Sequence, residues 1–267
     1  MAQEEHFSAS ATLSILRDNP KLAAQILLFL DKNLKEKNFI LDLGCGYGYL
    51  TAMFRDILKF KKAYGVDIDK DRLETAERVG IEIYNIDLET STLPFHNNYF
   101  DLILATGILN HLKFWDNIFS EINRVLKKGG LLFISDPNMG WWINRLSLFL
   151  GYQPPNVEVS KFYTVGLPPF YPRLKSIEYV HSLTLRGMLE FLNLYGFKNL
   201  YVFRNKIPRI DLKLKKPQIP YLLQVIIRII DNVFYIFPSL SARILVVSEK
   251  VSDYKKSIDI ENRLFLC

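Results

Sequence analysis

The sequence predicts an α/β protein whose core is a parallel β-sheet with helices on both faces. Short apolar runs alternate with longer stretches in which apolar residues recur at helical spacing, and this is the pattern of βαβ units. A glycine-rich turn, Gly44 to Gly48, directly follows the first apolar run. A chain of 267 residues with 49% hydrophobic residues can bury one sizeable core. Together these observations predict one α/β domain with insertions.

Seven apolar runs have the length and the flanking residues of strands. Turn residues and helical segments separate them, so consecutive strands are expected to be joined by crossover helices. The predicted strands are 39–44, 63–68, 81–87, 100–106, 131–136, 198–205 and 243–250.

Three helices carry clear start or stop signals. Asn19, followed by proline, predicts the cap of a helix that runs to residue 34. The apolar side chains of residues 115–126 fall on one helical face, and Gly129-Gly130 is the predicted end of that helix. A third helix is predicted within 184–196, with a threonine cap and a terminal glycine.

Two stretches exceed what a minimal sheet needs, 138–180 and 206–241. Both leave the carboxyl end of a parallel strand, the edge where open α/β sheets bind ligands. Because loops of this length usually serve as lids or binding elements, we expect them to form a cap over the ligand site. The predicted division of the single domain is an N-terminal helical segment 1–38, a ligand-binding core 39–137, a cap insertion 138–180, a core helix and strand 181–205, a basic and amphipathic insertion 206–241, a last strand 242–250 and a tail 251–267.

The glycine turn and two later acids indicate an adenosine-containing ligand. Glycine is needed where a strand-to-helix turn brings its backbone close to a ligand, and the next helix points free N–H groups at that turn. Asp67 lies at the end of the second predicted strand, about 20 residues past the glycines, where a carboxylate can accept both hydrogen bonds of a ribose diol. Asp87 ends the third strand. Tyr49 stands where a dinucleotide fingerprint requires glycine or alanine, which argues against a nicotinamide cofactor, and the Gly-Lys-Ser/Thr ending of a triphosphate loop is absent.

From about Phe39 to Pro137, and more weakly near His181, the sequence resembles the class I S-adenosylmethionine-dependent methyltransferases. The similarity is to the small-molecule, type 11-like group with an Asp-x-Gly-x-Gly-x-Gly motif. It implies a Rossmann-like sheet of seven strands, the last one antiparallel, and S-adenosyl-L-methionine as cofactor. The residues that it implies at the cofactor are Asp42, Gly44, Cys45, Gly46, Gly48, Asp67, Ile68, Asp87, Leu88 and Thr106.

The resemblance also implies a role for most of these positions. Asp42 would lie beside the methionine moiety, and the backbone of the glycine turn would pack against the cofactor. Asp67 would hold the ribose hydroxyls and Ile68 would lie against the adenine face. Asp87 with Leu88 would bind the adenine edge.

The segment after the fourth strand, 106–111, lies where the transferable methyl group should emerge in this family. His111 has the chemistry of a general base near neutral pH. A structural role for this histidine stays open, because methyl transfer from a sulfonium depends mainly on alignment and exclusion of water and does not always require a base.

The first insertion indicates the acceptor class through its aromatic side chains. They provide enough area to wall an apolar pocket or to stack on a ring, which favours a small hydrophobic or cyclic acceptor: lipid-like, isoprenoid, aromatic or sugar, methylated at O, N or C. Ordinary packing is the alternative for each one. The aromatics are Trp141, Trp142, Phe149, Tyr152, Phe162, Tyr163, Phe170 and Tyr171.

Two other functions remain open at this stage. A methyltransferase acting on protein or RNA is disfavoured, because Ala105-Thr106-Gly107-Ile108 stands where an Asn-Pro-Pro-Tyr-like motif would follow the fourth strand. A noncatalytic partner that keeps the cofactor fold is disfavoured by the intact acids Asp42, Asp67 and Asp87.

The second insertion is basic and then amphipathic. Residues 219–237 are mostly apolar, with a predicted polar stripe of Gln224, Arg228, Asp231 and Asn232. A membrane span is disfavoured, since Arg228 and Asp231 would each cost roughly 2.5 to 3.5 kcal/mol at mid-bilayer. Burial in the cap, a dimer contact and shallow docking on a membrane remain as alternatives.

Positive charge is concentrated in the same part of the chain. The whole chain has a net charge of +6, and residues 198–250 hold ten Lys or Arg against three Asp or Glu, or +7. This favours anionic lipid head groups or a phosphorylated acceptor over nucleic acid, with a solvated basic face as the alternative. The basic residues just before the amphipathic stretch are Lys206, Arg209, Lys213, Lys215 and Lys216.

Cysteine and histidine usage predicts the compartment and argues against a metal. Cys45 and Cys267 cannot build a disulfide framework, which indicates a reducing environment. The four histidines lack metal-ligand spacing, and the first residues show no signal-peptide pattern. We therefore expect a cytoplasmic protein, with peripheral membrane association through 206–237 as a further hypothesis.

Overall fold

The computed structural model describes residues 11–158, 160, 162–163, 165–169, 180–205 and 221–254. Several predictions concern residues outside these ranges. They are the aromatics Phe170 and Tyr171, the basic residues before the amphipathic stretch, and the C-terminal tail.

The structure confirms a seven-stranded, mostly parallel sheet with the order β3-β2-β1-β4-β5-β7-β6. Strand β7 pairs antiparallel with both of its neighbours, as the resemblance implies. The strands are β1 Phe39–Leu43, β2 Lys62–Asp67, β3 Glu82–Asn85, β4 Phe100–Thr106, β5 Leu126–Pro137, β6 Phe197–Val202 and β7 Arg243–Lys250.

Helices cover both faces of the sheet, and two apolar layers result. Alternate residues of β4 face opposite ways: Ile103 packs toward α5 and α7, and Leu104 packs toward α1 to α4. The helices are α1 Ala11–Asp18, α2 Pro20–Asn33, α3 Tyr49–Leu58, α4 Lys70–Arg78, α5 Asp116–Val125, α6 Trp142–Phe149, α7 Leu185–Leu194 and α8 Tyr221–Phe234, with short 3₁₀ turns at Leu109–His111 and Pro238–Leu240.

Two predicted helix caps are confirmed. The Asn19 side chain accepts a hydrogen bond from the Leu22 amide at the start of α2 (3.2 Å), and the Thr184 hydroxyl accepts one from the Gly187 amide at the start of α7 (3.2 Å). Such contacts satisfy amide groups that a helix leaves without partners at its first turn.

The predicted end of α5 is wrong. The helix ends at Val125, and Gly129-Gly130 lies within β5 instead. Strand β5 pairs with β4 first at Leu126 and again from Leu131, with an irregularity between the two contacts. The glycine pair therefore belongs to a β-bulge, where Gly129 takes a positive φ of 80°.

The loops that leave β5 and precede β7 meet at the carboxyl edge of the parallel strands. The Asn138 side chain, just past β5, donates to the carbonyls of Ser239 (3.1 Å) and Ser241 (2.8 Å) just before β7. The Met139 amide donates to the Leu183 carbonyl (2.9 Å). This edge is where the site described next lies.

Candidate functional site

The glycine turn after β1 is held against the end of β2 by backbone hydrogen bonds. The amides of Gly44 and Cys45 both donate to the Val66 carbonyl (2.8 and 3.0 Å). Gly44, Gly46 and Gly48 have positive φ angles of 69°, 53° and 75°, a conformation that glycine adopts without steric cost. The turn that the sequence predicts is therefore built and fixed to the neighbouring strand.

The three glycines face different surroundings. A Cβ added at Gly44 would lie 2.8 Å from Ile108 Cδ1, and one added at Gly48 would lie 2.8 Å from Ala76 Cβ. A Cβ at Gly46 would meet no atom within 4 Å among the described residues. Gly44 and Gly48 thus permit close packing, whereas Gly46 borders open space at the sheet edge.

Cys45 is buried, and its side chain points away from that open space. Its Sγ occupies the room left by Gly65, where an added Cβ would lie 2.6 Å from the sulfur. Burial raises the pKa of the Cys45 thiol, which keeps it protonated and unreactive. Any ligand contact of Cys45 is therefore left to its backbone.

Asp67 at the end of β2 organises the turn and faces the same edge. One carboxylate oxygen accepts from the Gly46 amide (2.8 Å) and the other from the Asp69 amide (2.9 Å). Each oxygen keeps a further lone pair for a ligand hydroxyl. The Asn85 side chain donates to the carbonyls of Asp67 (3.1 Å) and Ile68 (2.8 Å) and fixes this segment. The Ile68 side chain is 69% exposed, so a flat apolar group could cover it.

Asp87 lies just past β3, which ends two residues earlier than predicted. Its carboxylate accepts from the Glu89 amide (2.9 Å) and the Thr90 hydroxyl (3.1 Å). Leu88 is buried in the main core, so only its backbone can contact a ligand. The Ile86 amide donates to the Asp67 carbonyl (3.1 Å), which brings the end of β3 beside Asp67.

Asp42 is buried within β1 with one oxygen paired. Its Oδ2 accepts from the Thr51 hydroxyl of α3 (2.6 Å), whereas its Oδ1 is buried without a hydrogen-bond partner among the described residues. Burial raises the pKa of Asp42 to about 7, and the Thr51 hydrogen bond opposes that rise. An unpaired buried oxygen of this kind is available to a cationic or N–H group.

A second group of buried polar side chains lies past β4 and at the end of β5. Asp136 is 2% exposed and Asn110 is 1% exposed. No described residue gives a normal hydrogen bond to either Asp136 oxygen or to the Asn110 side-chain amide. Burial raises the pKa of Asp136 to about 7, although Arg243 and the Asn110 backbone lower it. Buried polar groups without partners are rare, so a ligand that pairs with them is a natural explanation.

Arg243 and Ser135 frame this second group. The Arg243 guanidinium is 8% exposed and donates to the Ser135 carbonyl (2.8 Å) and hydroxyl (3.3 Å). Thr12 of α1 also donates to the Ser135 hydroxyl (2.8 Å). The amide of Gly107, which follows the buried Thr106, donates to the Ser135 carbonyl as well (2.8 Å). The ends of β4, β5 and β7 are thereby joined at one place.

His111 ends the 3₁₀ turn that follows β4. It is half-buried, and its backbone amide donates to the Ile108 carbonyl (3.0 Å). The backbone carbonyl of its neighbour Asn110 accepts from the amides of Val180 and His181 (2.8 and 3.3 Å). His111 thus directly follows Asn110, a member of the second polar group. A catalytic role for His111 stays a prediction.

The donor and acceptor set at the edge fits an adenosylated amino acid. The Asp67 carboxylate keeps acceptor lone pairs for a ligand, and the adjacent Ile68 side chain is exposed. Gly46 leaves the adjoining space free, and Asp42 holds an unpaired oxygen deeper in the sheet. A diol, a flat base and a cationic group are the chemical partners of these features.

The comparison with known families agrees with this chemistry. Residues 41–134 match the family model of a methyltransferase domain, and they contain most of β1, all of β2 to β4, most of β5 and the glycine turn. This part of the chain is a methyltransferase domain, and its similarity to the class I S-adenosylmethionine-dependent methyltransferases is confirmed. S-adenosyl-L-methionine is the cofactor of this family.

Individual relatives of this methyltransferase match parts of their own length. It is 28% identical over 171 residues to an uncharacterized protein of Methanocaldococcus jannaschii, covering 64% of this chain and 70% of that protein. It is 33% identical over 103 residues to a ubiquinone/menaquinone biosynthesis C-methyltransferase of Vibrio cholerae, covering 36% of this chain and 39% of that enzyme. The chain spans well under two thirds of the Vibrio enzyme, so family membership alone does not transfer its acceptor.

A solved structure extends the similarity to the whole fold. It comes from the complex between the Haloferax volcanii Trm112 methyltransferase activator and a methyltransferase, with a TM-score of 0.59 and 14% identity. The match covers 89% of this chain and 92% of that chain. At this identity the likeness concerns the fold.

Several site residues are missing from the sequence-based prediction. Thr51, Asn85, Asn110 and Arg243 lie 9 to 107 residues from the acids they accompany, so no local motif marks them. Thr51 does carry one signal, because it is a polar residue on the inner, apolar face of α3. The sequence does not mark Asp136 either, since an acid at a strand end usually caps a turn or faces solvent.

A matched pair of glycine variants separates ligand contact from packing in this methyltransferase. Gly46→Val and Gly48→Val place the same side chain at positive φ, at about 1–2 kcal/mol of strain each. Only Gly48→Val also collides with α4, so we expect it to lower the free energy of unfolding by about 1–3 kcal/mol more. Gly46→Val is expected to fold and to weaken S-adenosylmethionine binding about tenfold or more, which is ~1.4 kcal/mol of lost contact. Urea denaturation and titration calorimetry measure the two effects, and unchanged affinity in Gly46→Val would contradict the placement.

Proposed function

We propose that this methyltransferase transfers a methyl group to an O, N or C atom of a small, hydrophobic or cyclic acceptor. The observation that carries the proposal is the second polar group. Asn110 and Asp136 are buried, and their side-chain polar atoms have no hydrogen bond of normal geometry within the described part of the chain. An acceptor bound there would be largely desolvated and would pair with them.

In this proposal the first half of the edge holds the cofactor. Asp67 would bind the ribose hydroxyls, Ile68 and Asp87 the adenine, and Asp42 the methionine part, with the backbone from Gly44 to Gly48 against the ligand. S-adenosylmethionine supplies an electrophilic methyl group when bound. The contribution of the protein is to align the acceptor, exclude water and take up a proton where the acceptor loses one.

The two insertions support a cap that favours apolar acceptors. Trp141, Trp142 and Ile143 of the first insertion are buried against apolar side chains of the second, among them Ile230 and Phe234. The Trp142 indole also donates to the Asp231 carboxylate of α8 (3.2 Å). Both insertions thus build one apolar unit that is attached to the carboxyl edge at Asn138.

Three further aromatics of the first insertion do not pack inside that unit. Phe149, Phe162 and Tyr163 are 86%, 85% and 73% exposed. Burial within that unit supports ordinary packing for Trp141 and Trp142, and an acceptor pocket walled by these aromatics stays a prediction. The match to a quinone-biosynthesis C-methyltransferase adds support for an isoprenoid or aromatic acceptor.

We assign proton uptake in this proposal to Asp136 ahead of His111. A carboxylate with a pKa raised to about 7 is a competent base at neutral pH. It lies at the end of β5, where the Asn110 backbone interacts with the carboxylate and no described residue gives either oxygen a hydrogen bond of normal geometry. Arg243 nearby stabilises the ionised form of Asp136. His111 remains the alternative base.

The function is tested in two stages with the intact protein. Titration calorimetry with S-adenosylmethionine and S-adenosylhomocysteine should detect binding of both. Incubation with methyl-labelled S-adenosylmethionine and separate lipid, isoprenoid-quinone, glycan, protein and RNA extracts should then place the label in an apolar small molecule. Label confined to protein or RNA would overturn the acceptor class, and binding without any labelled product would indicate the noncatalytic alternative.

A further inference from the structure

Helix α8 has two apolar faces, and the cap covers one of them. On the inner face Ile227, Ile230 and Phe234 pack against the tryptophans of α6. Asp231, predicted to lie on a polar stripe, is buried on this side and accepts a hydrogen bond from Trp142. The inner face therefore accounts for the attachment of α8 to the protein.

The second face points away from the cap core. Leu222, Ile226, Ile229 and Val233 are 70%, 42%, 58% and 57% exposed, and their spacing of four, three and four residues aligns them along one side of the helix. We call these four residues the outer stripe of α8. Ile236 and Phe237, just after the helix, are 57% and 53% exposed. A row of large apolar side chains in water marks an interaction surface more often than isolated exposed residues do.

Charge and length identify the partner that fits this stripe. Lys206, Arg209, Lys213, Lys215 and Lys216 precede α8 in the sequence, with one acid among them. An amphipathic helix next to a basic cluster matches a surface of apolar chains beneath anionic head groups. The 14 residues of α8 extend roughly 21 Å, less than the ~30 Å of a bilayer core. Among the described helices none has the length and apolar content to cross a membrane.

We propose that the outer stripe of α8 docks the protein on anionic membrane surfaces, with the helix lying in the plane of the interface. The apolar side chains enter the acyl boundary, and the positive charge that precedes the helix in the sequence favours anionic head groups. This docking is independent of which acceptor the enzyme methylates. It would place the cap, which α8 helps to build, next to the lipid phase.

Vesicle flotation with the full chain tests the docking. We compare vesicles of phosphatidylcholine alone with vesicles that contain 30% phosphatidylglycerol. Ile229→Gln/Val233→Gln removes half of the outer stripe, and Leu28→Gln/Ile57→Gln is the matched control, since those residues are 69% and 53% exposed on α2 and α3. We expect anionic vesicles to bind the parent and the control at least tenfold more tightly than they bind the stripe variant.

The second part of the test changes the charge of the basic residues before α8. Lys213→Glu/Lys215→Glu/Lys216→Glu is expected to lower binding to anionic vesicles at least tenfold, and vesicles without phosphatidylglycerol should bind the parent as weakly. Equal binding of the stripe variant and the control would overturn the proposal. Failure of the parent to bind either vesicle would also overturn it. In that case, light scattering that shows a dimer of the parent, absent in the stripe variant, would identify the stripe as a dimer contact. Retained S-adenosylmethionine binding in each variant shows that the cofactor site is intact, so loss of docking is distinguishable from loss of the methyltransferase site.

Discussion

Replacing Asp67 with alanine is expected to weaken S-adenosylmethionine binding by about 100-fold or more. The carboxylate accepts the Gly46 and Asp69 amides and, in the proposed complex, both ribose hydroxyls. Hydrogen bonds to a charged group contribute about 1.5–3 kcal/mol each, so losing two corresponds to about 3–6 kcal/mol. Titration calorimetry measures the change directly.

The neighbouring carboxylate of Asp69 provides the control for this experiment. Asp69 caps α4 by accepting from the amides of Asp71 and Arg72 (3.1 and 3.3 Å). Asp69→Ala should therefore cost about 1 kcal/mol of stability and leave the affinity within a few-fold of the parent. Should Asp67→Ala bind as tightly as Asp69→Ala, the assignment of Asp67 to the ribose would be wrong.

Replacing Asp136 with asparagine is expected to lower turnover by about 10²–10⁴-fold, the usual contribution of a general base. Because the active form is the carboxylate, turnover of the parent should rise with pH through the raised pKa of about 7, and the variant should lose this dependence. His111→Gln is the matched comparison and should keep both the rate and the pH profile. The measurement is kcat against pH with the acceptor found by methyl labelling, and the reverse result would assign the proton to His111.

The pH dependence of stability tests the same carboxyl without an acceptor. Its pKa is raised from 3.8 unfolded to about 7 folded, so between these values the folded state binds more protons. The free energy of unfolding should therefore fall as pH rises from about 4 to about 7 because of this group. Asp136→Asn should reduce that slope, and the remainder should reflect Asp42, whose pKa is also raised to about 7. An unchanged slope in Asp136→Asn would contradict the burial of an ionisable Asp136.

Local pattern was sufficient to predict most of the fold. Strand β7 occupies the predicted residues 243–250, and β1, β2 and β4 lie within one residue of their predicted bounds. Boundaries shifted where tertiary contacts decide them. Strand β3 ends early because its chain turns beside Asp67, and α5 gives way directly to β5 at Leu126 because a bulge absorbs the following glycines.

The candidate site was predictable only where its residues follow strands in a fixed order. Asp42, Asp67 and Asp87 are marked by the glycine turn and by strand ends. Asn110, Asp136 and Arg243 are brought together only by the packing of β4, β5 and β7. The lack of normal hydrogen bonds to the Asn110 and Asp136 side chains among the described residues is visible only in the folded structure. The inward orientation of Asp231 likewise depends on α6, which no periodicity within α8 can specify.

Thr12 of α1 and Arg243 both donate to the Ser135 hydroxyl, so α1 contacts the second polar group. Thr12 is fully buried although it lies in the second residue of α1. A molecule that settles against Asp136 would therefore favour the conformations in which α1 is docked, by simple mass action. Binding of a molecule at this edge of the sheet and docking of α1 should therefore be energetically coupled.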